Sequence, residues 1–584
     1  MQHRVDGGPG AERRFTDLFR RHVTSGSRLA ALLPVVDWLP RYRRKWLRGD
    51  VIAGIAVAAL IVPKDLGYAG IAGVPLENGL YAAAAGALIY AVFCTSRQIS
   101  TGPSSSLAAV AGGAVLATQI DEAQAPQLVA AITLVTGALF LLMALFRLGW
   151  IARFLSKAVI TGFLAGAAVD VTIGELPKLT GTSTDGDNAW QELSSWLGTL
   201  GEIDWTTLVV GLAGLALILG LRFLAPTVPG ALVLVVGGLL ASSLLDLGAH
   251  GVALVGEVPS GLPSPALPDA AVFKDHGATI AIAAFALLLI GFSQTAGDAR
   301  AFAARHRYRI DVNQESIAQG MANAGAGVFQ GMPVSTSLSA SSLNESSGAR
   351  TPLASLVTGT LVILTLLFLA PLFSDLPKAV LAALIIDAVI FGMIDVRELR
   401  RLHRVARIDF WIALAAIAGV LSAGVLAGVV IGVALSLVWL VYVASTPAIP
   451  LLSRQPGTQV FRDADEHPGD ETFDGVIVLR LDFGLSFATA EALDDRVRAL
   501  VDAERAPRAV VLDFAGVDFI DSQGSEKLGD IQRFADASNI TLRLARLKPP
   551  IRDTITTDGV LDQIGAAHVH GNVNEAVEAQ LDDH

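Results

Sequence analysis

The sequence contains a single cysteine, Cys94, in 584 residues. One cysteine excludes an intrachain disulfide framework and a metal site built from several cysteines. Charge is also scarce, since 17% of the residues are charged, 52% are hydrophobic and the mean hydropathy is +0.55. This composition excludes a large soluble enzyme and indicates a polytopic membrane protein that lies in a lipid bilayer.

Motifs of catalysis are missing as well. The sequence has no metal-ligand cluster, no nucleophile–base set and no Walker motif. We therefore expect neither an enzyme nor an ATP-driven pump, and no cofactor or bound metal. No feature points to a nucleic-acid partner, and no long apolar run precedes Val51, which argues against a signal peptide.

Hydrophobic runs predict fourteen membrane spans, seven in each half of the chain. The loops after even-numbered spans are basic and the others mostly acidic, which places both termini in the cytoplasm. An odd number of spans per half gives the halves opposite orientation, as in inverted repeats. The predicted segments are a polar N-terminal segment, a transmembrane domain, a linker and a soluble domain, at residues 1–50, 51–447, 448–472 and 473–584.

The soluble domain alternates strand and helix patterns, which predicts a small cytoplasmic α/β domain. We expect strands at Val476–Leu481, Ala509–Phe514 and Thr541–Ala545, and helices at Thr489–Ala503, Ser522–Ala537 and Asn572–Gln580.

Two polar stretches interrupt the hydrophobic sequence, Ser100–Gly113 and Gly331–Pro352. Both are rich in serine and glycine and too short or too polar to cross a bilayer. Matched interruptions in two halves predict half-helices, here Pro103–Thr118 and Thr336–Asn344, whose N-termini would face each other and bind an anion. The alternative is that small residues merely let helices pack closely.

The hydroxyl groups at these helix starts are the first candidates for anion contact, because they donate hydrogen bonds to anion oxygens. The same hydroxyls are also suited to helix capping, and the two roles are compatible. The candidates are Ser337, Ser339, Ser104, Ser105 and Ser106.

Ionisable residues inside the predicted spans are costly and indicate function. Lys64 follows Pro63 in the first span; it either faces the anion or pairs with an acid such as Asp65 or Asp298. Asp170 and Asp387, in spans five and twelve, have either a proton or gating role or a hydrogen-bonding role at a boundary.

In its motifs the chain resembles the SulP family of anion transporters, which includes the sulfate permeases and prestin. The resemblance covers about residues 40 to 580, and the soluble domain resembles a STAS domain. The motifs that carry the resemblance are Asp50-Val-Ile-Ala-Gly54, Pro63-Lys-Asp-Leu-Gly-Tyr68, Thr101-Gly-Pro103-Ser, Asn313-Gln-Glu315, Pro333-Val-Ser-Thr-Ser337-Leu-Ser339 and Phe519-Ile-Asp521-Ser522-Gln523-Gly524.

The resemblance implies two inverted seven-span repeats, a core domain of spans one to four and eight to eleven, a gate domain of the others, a homodimer and an elevator-like movement. It also implies that Tyr68, Thr336 and Leu338 belong with the serines as substrate-binding residues.

The sequence departs from the family pattern at three places. Ala340 stands where some relatives carry an arginine, so Lys64 is the candidate for the positive charge. Gln294 replaces a carboxylate tied to proton or sodium coupling; Asp298, one turn on, either substitutes for it or only ends the span. Gln523 cannot be phosphorylated, and we expect Ser522 to cap the helix and Asp521 to be structural in the turn.

The expected function is secondary active transport of an inorganic anion, most of all sulfate, across the cell's inner membrane, with a proton or sodium ion as co-transported partner. The alternatives are a sodium-coupled bicarbonate transporter, a dicarboxylate transporter, an anion channel or voltage-responsive element, and a sensor that acts through the STAS-like domain.

Overall fold

The computed structural model describes residues 33–148, 156–186, 188–225, 228–503 and 508–582. Most of the predicted N-terminal segment, residues 1–32, lies outside them. The chain forms two compact units, divided between Ser436 and Leu437.

Seven helices occupy the places of the seven spans predicted in the first half. A two-residue strand β1, Thr101–Gly102, precedes the third of them. The helices are α1 Leu47–Ile71, α2 Leu76–Phe93, α3 Ser105–Thr118, α4 Ala125–Leu145, α5 Lys157–Thr180, α6 Trp205–Leu224 and α7 Gly230–Leu245.

The second half repeats the arrangement, with strand β2, Ser335–Thr336, before its short helix. Its helices are α8 Ala270–His306, α9 Val312–Val328, α10 Leu338–Ser346, α11 Leu353–Leu364, α12 Lys378–Met393 and α13 Arg407–Ser445. Helix α11 continues as a π-helix and a 3₁₀ turn to Asp375. Shorter helical segments lie at Val35–Trp38, Arg44–Trp46, Ala189–Gly198, Leu200–Glu202 and Val396–Val405.

Helix α13 contains both of the last two predicted spans. Gly424 breaks it with φ 83° and ψ 167°, a conformation that only glycine adopts readily. Gly428 then packs against Ala416 and Val420, since a Cβ at residue 428 would lie 2.8 Å from the Val420 backbone nitrogen. The two spans are therefore the legs of one tight hairpin.

Nine of the described helices are long and apolar enough to cross a membrane by length and composition. This number is lower than fourteen for physical reasons. Helices α3 and α7 are apolar but short, α10 has nine residues, α9 is polar, and α13 combines two spans. The chain is thus a polytopic helical membrane protein, as its composition predicts.

Helix packing sorts the membrane helices into two groups. One group joins α9 to α4 and α2, α11 to α1 and α2, and α8 to α4. The other joins α12 to α5 and α6. Glycines allow the close approaches: a Cβ at Gly137 of α4 would lie 2.9 Å from the Gly320 carbonyl oxygen of α9. These nine helices divide as the family resemblance implies for core and gate, and α12 also packs against α1.

The second unit has a parallel sheet in the order β5-β6-β7-β8, preceded by the antiparallel pair β3–β4. The six predicted elements are confirmed to within two residues at each end. The strands are β3 Leu452–Arg454, β4 Phe461–Asp463, β5 Val476–Arg480, β6 Ala509–Asp513, β7 Thr541–Ala545 and β8 Val569–His570; the helices are α14 Ala490–Ala503, α15 Ser522–Ala537, α16 Pro549–Thr557, α17 Val560–Ile564 and α18 Val573–Asp582.

The segment that we expected to be a linker, residues 448–472, contains the β3–β4 hairpin. Leu452 is buried and packs with Val478 and Val511 of the sheet. Arg454 and Glu471 form an ion pair of 2.9 Å and exchange backbone hydrogen bonds. The hairpin is therefore part of the folded unit.

Helix α15 is capped by Asp521, and our expectation that Ser522 is the cap is wrong. The Gly524 N–H donates to Asp521 Oδ1 at 2.7 Å, and the Phe487 N–H donates to Oδ2 at 3.0 Å. Ser522 is already the first helical residue. Asp521 is structural in the turn, as predicted, because its carboxylate satisfies two backbone donors.

Candidate functional site

The two half-helices start beside each other because β1 and β2 pair. The strands are antiparallel, with Thr101 opposite Thr336 and Gly102 opposite Ser335. The Ser337 N–H also donates to the Ser100 carbonyl oxygen at 3.0 Å. The pairing brings together two stretches that belong to different halves of the chain, as the matched interruptions predict.

A serine caps each half-helix. The Ser104 hydroxyl oxygen accepts from the Leu107 N–H in α3, and the Ser337 hydroxyl oxygen accepts from the Ala340 N–H in α10, both at 3.4 Å. The capping role considered for these residues is confirmed. At 3.4 Å the bonds are weak, and each hydroxyl keeps its own hydrogen for another acceptor.

A cavity of about 340 Å³, including its open side, lies at the strand pair. Its walls combine the first span with the entrances of both half-helices. The lining residues are Leu60, Ile61, Lys64, Asp65, Tyr68, Ser100, Thr101, Gly102, Pro103, Ser337, Ser339 and Ala340. Four predicted substrate residues, Ser337, Ser339, Lys64 and Tyr68, are among them.

The other five predicted substrate residues lie next to the cavity rather than in its lining. Leu338 is exposed, with 57% of its surface accessible. Thr336 donates its hydroxyl to Asp298. The hydroxyl oxygens of Ser104 and Ser106 are 3.1 Å apart, and the Ser105 hydroxyl lies close to Gly392 of α12.

Lys64 and Asp65 both line the cavity, yet the described residues include no ion pair or hydrogen-bond partner for the Lys64 ammonium group. One of our two interpretations was that Lys64 pairs with Asp65 or Asp298. Neither ion pair occurs among the described residues. The charge of Lys64 is therefore available to a bound anion.

Helix α8 connects the two half-helix entrances through Gln294. The Gln294 amide nitrogen is 3.1 Å from the Ser106 hydroxyl, and the Ser335 hydroxyl donates to the Gln294 amide oxygen at 2.6 Å. One turn on, Asp298 accepts from the Thr336 hydroxyl at 2.9 Å. Asp298 therefore bonds to β2 beside the cavity, and its helix continues beyond it to His306.

The two predicted carboxylates of spans five and twelve lie outside the cavity lining. Asp387 is bonded twice by Arg222 of α6, with Nε to Oδ1 at 2.8 Å and Nη2 to Oδ2 at 2.6 Å. Asp170 is half-buried on α5. The interpretation of Asp387 as a hydrogen-bonded residue fits this geometry, because both of its oxygens are occupied.

Sequence reasoning missed the residues that hold the strands in place. The carboxylate of Glu315 on α9 is fully buried and accepts from the backbone N–H groups of Thr95 and Ser96, both at 2.8 Å. The hydroxyls of Thr95, Ser96 and Tyr90 also donate to it. The carboxylate thereby fixes the turn that leads into β1.

Asn323, two turns along α9, bonds the residue that leads into β2. Its amide accepts from the Val334 N–H at 3.0 Å and donates to the Val334 carbonyl oxygen at 2.9 Å. Gln319, between them in sequence, donates to the same carbonyl. The spacing of 315, 319 and 323 places these polar side chains on one helix face, and this was the available signal.

We expect the Glu315→Leu substitution to lower the free energy of unfolding by about 3 kcal/mol, because two buried N–H groups lose their acceptor. Glu315→Gln keeps one acceptor oxygen and is expected to cost about 1 kcal/mol. Thermal unfolding in detergent measures both variants. Equal stability of wild type and Glu315→Leu would show that the turn does not depend on this carboxylate.

Comparisons with known proteins cover nearly the whole chain. The profile of the sulfate permease family matches residues 47–416, and that of the STAS domain matches residues 467–576. A probable sulfate transporter of Mycobacterium tuberculosis (strain CDC 1551 / Oshkosh) is 35% identical over 561 residues, which cover 94% of this chain and 98% of that protein. Sulfate transporter 3.1 of Arabidopsis thaliana is 30% identical over 576 residues, which cover 94% and 87%.

Two solved structures share the fold. The murine Solute Carrier 26 family member A9 anion transporter, in the inward-facing state, has a TM-score of 0.86 at 22% identity and covers 100% of both chains. The transmembrane domain of the cyanobacterium bicarbonate transporter BicA has a TM-score of 0.58 at 21% identity, with 67% of this chain and 98% of that chain covered.

Proposed function

Because the chain belongs to the sulfate permease family, we propose that it is a secondary active transporter of inorganic anions with sulfate as its main substrate. Relatives that cover nearly all of it are named as sulfate transporters. The observation that carries the proposal is the cavity at the β1–β2 pair, where two half-helices of opposite halves begin.

The chemistry of this cavity suits an oxyanion. The first N–H groups of a helix have no intrahelical acceptor, and the helix dipole adds positive potential there. The hydroxyls of Ser337 and Ser339 lie at the start of α10 and line the cavity. Together these groups donate hydrogen bonds to the oxygens of a tetrahedral anion. This chain has Ala340 where some relatives carry an arginine, and Lys64 supplies the positive charge instead.

Transport would occur by an elevator-like movement of one helix group against the other. Where the groups meet, Gly67 and Gly70 of α1 face Ile385 of α12, and a Cβ at either glycine would lie 3.3 Å from the Ile385 side chain. The two glycines present no side chain to α12 at these points, which favours sliding of one helix past the other. We place the protein as a homodimer in the inner membrane, with both termini and the STAS domain in the cytoplasm.

The coupling partner is a proton or a sodium ion. Gln294 cannot titrate, so coupling requires another group. Asp298, Asp387 and Asp170 are the predicted candidates, of which Asp298 bonds to Thr336 of β2 beside the cavity.

The test is uptake of labelled sulfate and of labelled bicarbonate into proteoliposomes, with and without imposed proton and sodium gradients. We expect saturable sulfate uptake that rises with an inward proton gradient. Bicarbonate uptake driven by sodium would replace sulfate with the alternative substrate. Uptake no greater than in empty liposomes for both anions, or a unitary current in bilayers, would contradict a secondary active carrier.

A further inference from the structure

Asp65 is a buried carboxylic acid in the wall of a cavity suited to anions. Only 2% of the residue is exposed, and it is part of the lining. Its Oδ2 atom has no hydrogen-bond partner among the described residues. The other acids near the cavity differ in this respect, since Asp298 accepts from Thr336 and Asp387 from Arg222.

An ionised carboxylate is out of place at such a position. Burial without a hydrogen bond disfavours the charged form, and an anion in the cavity would repel it further. The protonated form avoids both costs. It is neutral, and its O–H group donates a hydrogen bond to an anion oxygen.

Lys64 and the bound anion are the charges that determine whether the carboxyl group of Asp65 is ionised, as the helices packed against α1 indicate. Helices α3, α7 and α11, which contact α1, carry no titratable side chain. Asp387 of α12 is neutralised by Arg222, and Glu345 of α10 by Arg305. The other titratable groups on α1, α2 and α12 are Arg48, Asp50, Lys64, Tyr68, Glu77, Tyr81, Tyr90 and Lys378. Of these, Lys64 and Tyr68 line the cavity with Asp65.

Lys64 and Asp65 together decide the charge of the cavity. With Asp65 ionised, the two side chains cancel and the cavity offers an anion no net charge. With Asp65 protonated, the cavity carries the single positive charge of Lys64. The Lys64 ammonium is not within ion-pair distance of Asp65, because no such pair occurs in the described part of the chain; helix neighbours diverge by about 100°.

We propose that Asp65 binds one proton when the anion enters the cavity, so that the carrier moves an anion and a proton together. This rests on the proposed function, since it requires anion transport through this cavity. The carboxylate takes the proton from water on the loading side and releases it to water on the other side, where the anion also leaves. By thermodynamic linkage the anion strengthens proton binding and the proton strengthens anion binding by the same factor.

The experiment measures labelled sulfate uptake into proteoliposomes at several external pH values, together with proton entry reported by a lumenal pH dye. For the wild type, the apparent KM for sulfate should fall as the pH is lowered, by at most about tenfold per pH unit for one proton. Sulfate addition should also acidify the lumen.

Asp65→Asn keeps an N–H donor but cannot release a proton. In this variant we expect the sulfate KM to be independent of pH and sulfate-driven proton entry to be lost, whereas exchange of labelled for unlabelled sulfate continues. Asp246→Asn is the matched control, since Asp246 is exposed, follows the last residue of α7 and lies outside the cavity lining; it should keep the pH dependence.

The outcomes separate this inference from the proposed function. If the wild type does not take up sulfate, the proposed function fails and this inference with it. If the wild type transports sulfate but Asp65→Asn still couples it to protons, only the role of Asp65 is overturned. Should Asp65→Asn not fold, Asp65→Glu takes its place: the pH midpoint of uptake should shift, and an unchanged pH profile overturns the proposal.

Discussion

Replacement of Ser337 by tryptophan is expected to reduce anion uptake to the level of empty liposomes. Ser337 lines the cavity at the first residue before α10, and an indole there would occupy the space between the two half-helix entrances. It would also remove the hydroxyl that caps α10. The measurement is labelled sulfate uptake, normalised to the amount of protein incorporated.

A matched control separates blocked binding from damage to the helix. Ser346→Trp places the same side chain at the other end of α10, where Ser346 is exposed, and should retain uptake. Ser337→Trp protein should also unfold at a temperature close to that of Ser346→Trp. Sulfate uptake by Ser337→Trp at the wild-type rate would rule out this cavity as the anion site.

Removal of Arg222 is expected to destabilise the membrane unit more than removal of its partner. The Asp387 side chain is only 5% exposed, whereas Arg222 is 37% exposed and lies in the last turn of α6. Arg222→Met leaves a buried carboxylate without its donors, which costs about 3 kcal/mol. Asp387→Asn leaves an arginine that can turn toward the membrane surface, so we expect about 1 kcal/mol.

A double-mutant cycle tests the explanation. Arg222→Met combined with Asp387→Asn should be more stable than Arg222→Met alone, because no buried charge remains unpaired. Arg305→Met, which breaks the more exposed pair with Glu345, should change the free energy of unfolding by less than about 1 kcal/mol. Additive effects in the Arg222–Asp387 cycle would mean that the two residues do not stabilise each other.

The sequence was sufficient to locate the half-helices, because Gly-Pro steps and serine runs interrupt hydrophobic segments in both halves. The strand pair between them was not predictable. A two-residue strand has no pattern of its own, and each strand exists here only because its partner lies opposite. The β3–β4 hairpin was missed for the same reason, since its strands have three residues each.

Within the site, Lys64 was predicted and Asp65 was not. Neighbouring residues diverge on a helix, so a narrow contact face would include only one of them. The cavity instead meets a broad face of α1, which includes residues 60, 61, 64, 65 and 68. Glu315 was noticed as part of a motif, but its role depends on a turn 219 residues away in sequence, which no local pattern contains.

The pairing of β1 with β2 also constrains how the protein is made. The Ser100 N–H donates to the Ser341 hydroxyl, a bond between residues 241 positions apart, and such distant contacts form late because the intervening loop must close first. During synthesis the first half therefore enters the membrane with one side of its cavity missing. The cavity is complete only after α10 has been inserted, so ligand-induced stabilisation would report the end of assembly rather than the folding of either half.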